Sequence, residues 1–88
     1  MAYKLLFTKQ ARKQLESLDR SDVMPILKWL DKNVHNCHDP RSHGKALTGE
    51  LKGYWRYRIG KYRVICLIQD DELIVLAIEI GKRNSVYN

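Results

Sequence analysis

Eighty-eight residues with 44% hydrophobic content suffice for one hydrophobic core and leave no room for a second. Lys and Arg outnumber Asp and Glu by 16 to 10, and the resulting charge of +6 suits polyanionic partners: nucleic acid, an anionic membrane surface or an acidic protein. Two cysteines make no disulfide framework, and the longest unbroken apolar run, Leu73–Ile78, is far short of a membrane span, so a soluble, cytoplasmic, single-domain protein is expected.

The first element is a short apolar strand over Tyr3–Phe7. Thr8 is placed to cap a helix whose Ala11, Leu15 and Leu18 recur at four- and three-residue spacing. Lys9, Arg12 and Lys13 lie off that stripe. Ser21 or Asp22 is the expected cap of a second helix, with Pro25 in its first turn, where a missing N–H costs little. Its apolar stripe is Val23, Ile26, Leu27, Leu30 and Val34, widened by Trp29. Asn36 to Gly44 reads as a loop. His35, with Cys37, His38 and His43 of the loop, matches no established zinc spacing, and polar loop roles are the better reading.

Strands follow over Tyr54–Ile59, Tyr62–Gln69 and Glu72–Ile80, joined by Gly60-Lys61 and Asp70-Asp71, both of hairpin length. The order β-α-α-β-β-β defines an α+β domain: a small antiparallel sheet with two N-terminal helices packed on it.

Charge concentrates in one segment. Residues 41–63 hold Arg41, Lys45, Lys52, Arg56, Arg58, Lys61 and Arg63 against a single acid, Glu50. A two-residue Gly60-Lys61 turn sets Ile59 against Tyr62 and Arg58 directly against Arg63. Arg56 shares their face because strand side chains alternate. Trp55, Tyr57 and Ile59 then fall on the opposite face, as core. A two-residue turn at Asp70-Asp71 extends the register so that Arg63 opposes Ile78, and Arg83, just past the last strand, approaches the same end. Like charges directly opposed destabilise a sheet. Such a cluster is best tolerated where an anion binds, and the rival reading is a solvated cationic face.

The run Gly44-Lys45-Ala46-Leu47-Thr48-Gly49-Glu50-Leu51-Lys52-Gly53-Tyr54-Trp55-Arg56-Tyr57-Arg58-Ile59, then Tyr62-Arg63-Val64-Ile65, Gly81-Lys82-Arg83 and Val86-Tyr87, resembles the RelE toxins of bacterial toxin–antitoxin pairs, within the RelE/ParE superfamily. The resemblance covers essentially the whole chain. It implies a ribosome-dependent endoribonuclease that cuts messenger RNA in the A site of the 70S ribosome. The RNA's 2′-hydroxyl attacks the adjacent phosphate, with no metal or cofactor. It further implies an acidic, RelB-like antitoxin as partner, and operator DNA bound only through the antitoxin complex. Arg56 and Arg58 match the strand positions where well-studied members carry two lysines; Arg63, Arg83 and Tyr87 match further site positions. Lys45 stands where some relatives carry a glutamate base.

In such a site the implied catalytic set is Arg58, Arg63, Arg83 and Tyr87. Arg58 and Arg63 hold the scissile phosphate, Arg83 assists the leaving oxygen, and Tyr87 stacks on a base or relays a proton. Lys45, Lys52, Arg56, Lys61 and Lys82 are the expected RNA-binding cations. Arginine grips phosphate in a bidentate manner but is a poor base, which leaves Tyr87, Lys52 and Lys45 as candidates for the proton acceptor. Two other readings share the sequence features: a ParE-like inhibitor of DNA gyrase without nuclease activity, and a plain nucleic-acid-binding module.

Overall fold

A computed structural model describes residues 1–82. The chain runs β1 (Lys4–Phe7), α1 (Lys9–Glu16), α2 (Arg20–Asn33), β2 (Lys45–Ala46), β3 (Trp55–Ile59), β4 (Tyr62–Gln69) and β5 (Ile74–Lys82), with single 3-10 turns at Pro40–Ser42, Gly49–Leu51 and Asp70–Glu72. The sheet order is β1-β5-β4-β3-β2. After β1 the chain passes through both helices, enters the sheet at its far edge, and returns strand by strand until β5 lies beside β1. The α+β class and the helix pair are as expected, with two refinements. The sheet is mixed, because β1 runs parallel to β5, and the short β2 adds an edge strand before β3.

Local chemistry accounts for the helix starts. The Thr8 hydroxyl accepts the Ala11 N–H at 3.1 Å, the expected cap of α1. α2 begins earlier than anticipated, with Asp19 at the cap position and no side-chain capping bond. Pro25 therefore sits inside the helix rather than in its first turn, and the Ser21 carbonyl loses its N–H donor. Burial of Ile26 and Leu30 offsets that loss.

Both helices cover one face of the sheet. Ala11, Ile26, Leu30 and Val34 pack there against Tyr57, Ile59, Tyr62, Val64, Cys66, Val75, Ala77 and Ile80. Trp29 stands 5.6 Å from the Tyr57 ring and 5.4 Å from the His43 ring, tying α2 to β3 and to the loop before β2. Burial pushes the Cys66 thiol and the Tyr57 phenol well above their ordinary pKa values, so both are neutral core groups. No helix among the described residues is long and apolar enough to cross a membrane.

Candidate functional site

The sheet face that no helix among the described residues covers, the open face, carries the cations. Gly60 takes φ +59 in the turn between β3 and β4, and the pairing is Ile59 with Tyr62, Arg58 with Arg63 and Arg56 with Ile65. The two guanidinium-bearing residues thus face each other across the hairpin, as the two-residue turn requires. Tyr57 and Ile59 point into the core, also as expected.

The next hairpin differs. The turn occupies Asp70–Glu72 and closes on Leu73 in the left-handed region, at φ 55, so Gln69 pairs with Ile74. A bulge then shifts the register between Ile65 and Cys66: Cys66 pairs with Ala77, but Ile65 pairs with Glu79. Arg63 therefore opposes Gly81, not Ile78. The sequence shows no sign of this three-residue displacement, because a four-residue turn and a bulge are both set by tertiary contacts.

Two rows result on the open face. One runs Lys45–Arg56–Ile65–Glu79 across four strands, the other Arg58–Arg63–Gly81 across three. Arg58 is exposed and Arg63 half-buried. Arg56 shares the face but is only 7% exposed, and its Nε has no hydrogen-bond partner among the described residues. A buried guanidinium in that condition is costly, and such groups concentrate at functional sites. Lys45 joins the row through β2.

The remaining expected cations lie elsewhere. Lys52 is exposed at the end of the Gly49–Leu51 turn. Lys61 leans toward the helix layer, its Nζ 4.0 Å from Asp22 Oδ1 and 5.8 Å above the Tyr62 ring. Lys82 pairs with Tyr62, whose ring belongs to the core side, so it too stands off the arginine face. Arg83 and Tyr87 lie outside the described residues. Glu79 is the face residue that sequence reasoning passed over. Its signal was a carboxylate in an otherwise apolar strand, whose facing no period-2 count could settle across a bulge.

The loop leading to β2 is held at several points. Tyr57 Oη donates to the Pro40 carbonyl at 2.6 Å and Trp55 Nε1 to the His43 carbonyl at 2.8 Å. Arg41 grips Asp70 through both carboxylate oxygens at 3.0 Å, and Tyr3 Oη donates to the same carboxylate at 2.6 Å. His35 Nδ1 accepts the Leu5 N–H at 3.2 Å, and His38 Nδ1 meets the Met1 carbonyl at 2.9 Å. These imidazoles serve the loop, and no cluster of His, Cys, Asp or Glu among the described residues is built to hold a metal.

The Arg41 bonds, with that of Tyr3, hold the Asp70 carboxyl at about 2, below the usual carboxylate range near 3.9. A carboxyl with a depressed folded pKa contributes stability above its unfolded pKa and loses it as pH falls toward the folded value. Asp70→Asn is thus expected to lower the melting temperature modestly at pH 7, the gap from the parent closing between about pH 4 and pH 2. Because both side chains are about half exposed, added salt shrinks the same gap. Thermal melts across pH and salt check this.

Residues 5–87 match the family described as the ParE toxin of the type II toxin–antitoxin system parDE, and the chain belongs to that family, within the RelE/ParE superfamily. It is 28% identical over 90 residues to a RelE-like toxin protein of Escherichia coli, spanning 100% of this chain and 93% of the relative. It is also 28% identical over 87 residues to Toxin RelG of Mycobacterium tuberculosis, spanning 99% and 98%. Among solved structures it is similar to a chain of the toxin–antitoxin complex RelBE2 of M. tuberculosis, with TM-score 0.84 and 26% identity over 94% of this chain and 93% of that one. The isolated E. coli RelE toxin shares the fold, with TM-score 0.70 at 22% identity over 92% and 84%.

Proposed function

We propose that this toxin is a metal-independent endoribonuclease that cuts messenger RNA in the ribosomal A site by 2′-hydroxyl transesterification, and so inhibits translation. The observation that carries this reading is the Arg58–Arg63 pair opposed across the hairpin, with Arg56 and Lys45 alongside on an open sheet face. Cutting RNA this way calls for charge on a pentacovalent phosphorane, and permanently protonated forks suit that task. Arg58 and Arg63 hold the scissile phosphate, Arg56 and Lys45 extend the cationic track, and Lys52, Lys61 and Lys82 contact flanking RNA. In this reading Arg83 assists the leaving oxygen and Tyr87 stacks on a base.

Similarity to RelE-like toxins supports the nuclease reading, and the RelBE2 relative was solved with its antitoxin. A +6 domain with an open cationic face is matched to an acidic antitoxin, through which operator DNA is bound. The test is primer extension on a message translated with and without the purified toxin. Breaks at A-site codons and 2′,3′-cyclic phosphate ends are expected. An intact message together with inhibited gyrase supercoiling would instead favour the ParE-like gyrase reading.

A further inference from the structure

Arginine-for-lysine at Arg56 and Arg58 removes two groups that could accept the 2′-hydroxyl proton, since a guanidinium stays protonated at any physiological pH, and leaves Lys45 at the edge strand as the remaining lysine of the row. The bulge in β5 supplies a different acceptor. Had the β4–β5 register continued unbroken from Cys66 and Ala77, Ile65 would face Ile78, and Glu79 would lie opposite Val64 in the helix-side core. The extra residue at Ile78 inverts this: Ile80 goes to the core and Glu79 to the arginine face, opposite Ile65. A one-residue slip turns every later side chain to the other face, and bulges beside active sites serve to re-aim a side chain.

The backbone on both sides of Glu79 is held from α1 and its cap. β1 ends at Phe7, so the outer edge of β5 has no strand partner beyond that point. Gln14 Oε1 accepts the Ile80 N–H at 2.7 Å, and Thr8 Oγ1 donates to the Ile78 carbonyl at 3.5 Å. Such support fixes where a side chain starts, as a proton-transfer group requires. Glu79 is half-buried, yet among the described residues its carboxylate makes no ion pair and no side-chain hydrogen bond. A carboxylate present only as a counterion would be paired. The cations around it are Arg56 on β3, Arg63 on β4 and Lys45 on β2. Gly81, two residues on and opposite Arg63, carries no side chain, so among the described residues no side chain of β5 stands between those of Arg63 and Glu79 on this face.

We infer that Glu79 is the general base of the cleavage reaction, re-aimed onto the arginine face by the β5 bulge. This inference rests on the endoribonuclease reading. The Glu79 carboxylate takes the 2′-hydroxyl proton as the 2′-oxygen bonds to phosphorus. The bond from phosphorus to the 5′-oxygen breaks, that oxygen takes a proton from water, and the products are a 2′,3′-cyclic phosphate and a 5′-hydroxyl. Arg58 and Arg63 carry the charge on the non-bridging oxygens.

The test is single-turnover cleavage of end-labelled mRNA in the A site of programmed ribosomes. Glu79→Gln keeps the shape and loses the base. Its rate is expected to fall about 10²- to 10⁴-fold, the usual contribution of a positioned acid or base, with the melting temperature unchanged. Glu79→Asp retains a carboxylate and keeps part of the rate, whereas a structural role makes the Asp and Gln losses equal. On a message with sulfur at the bridging 5′ position, whose thiolate leaves unaided, the Glu79→Gln defect persists. Recovery on that substrate would make Glu79 the leaving-group acid and overturn the assignment, as would a Glu79→Gln rate within tenfold of the parent. If the parent protein itself leaves ribosome-bound message intact, the endoribonuclease reading falls first, and this one with it.

Discussion

Arg63→Ala is expected to lose the proposed ribosome-dependent cleavage while the fold holds. Arg63 stands directly opposite Arg58 and beside the side-chain-free position of Gly81, where a phosphate can be gripped from both strands of the hairpin. Removing one preorganised charge from the place where negative charge develops typically costs about 10²–10³ in rate. Arg58 and Arg63 are like charges at one cross-strand pair, a repulsion of some tenths of a kcal/mol that the substitution relieves, so a thermal melt beside the rate separates a lost charge from a lost fold. Arg63→Lys keeps the charge but loses the bidentate fork, and falls between the two in rate. Primer extension beside thermal melts reads both quantities. Cleavage within about tenfold of the parent would remove Arg63 from the phosphate site.

Gly44→Ala is expected to be the most damaging single-methyl change in the loop before β2. Gly44 holds φ +84, which an L side chain rarely adopts. A Cβ built there lies 2.3 Å from the Arg56 carbonyl oxygen and 2.6 Å from Trp55 Nε1. One of those contacts is backbone, and the other is the indole nitrogen already committed to the His43 carbonyl. Neither can yield cheaply. Strain and lost loop anchoring together cost about 2–4 kcal/mol. For a domain of this size that is a fall of roughly 10–20 °C in melting temperature. The same displacement separates Lys45 from Arg56, so the proposed cleavage is expected to weaken even below the melting transition. Gly49→Ala is the control. Its φ of +68 is also strained, but nothing lies within 4 Å of the added methyl, and the loss should be smaller. A Gly44→Ala variant as stable as Gly49→Ala would show that the close approach at Arg56 is not rigid.

Much of this protein is legible as local pattern. The Thr8 cap, the apolar spacing of both helices and the two-residue Gly60-Lys61 turn each follow from a few neighbouring residues, and the Arg58–Arg63 opposition follows from that turn. Tyr57 and Ile59 were assignable to the core for the same reason, because alternation holds within an unbroken hairpin. The errors fall where distant parts of the chain decide. Pro25 lies inside α2 because the helix starts at Arg20, and packing of Ile26 and Leu30 tolerates the lost backbone bond. β2 forms where the loop before it is pinned by Trp55 and Tyr57, both distant from that loop in sequence.

The amino-acid sequence by itself determined the α+β class, the charge and its concentration between residues 41 and 63, and the face shared by Arg56, Arg58 and Arg63. Each depends on composition or on contacts a few residues apart. Only the tertiary structure decided that Arg56 is buried, that Lys61 turns toward Asp22, and that Glu79 joins the arginine row. The physical reason lies in the β4–β5 pairing. Its turn length and its bulge are set by what packs against them: Gln14 reaching the Ile80 N–H, and Arg41 and Tyr3 holding Asp70. Because side chains alternate along a strand, that single inserted residue moves a carboxylate from the core to the face where the arginines stand.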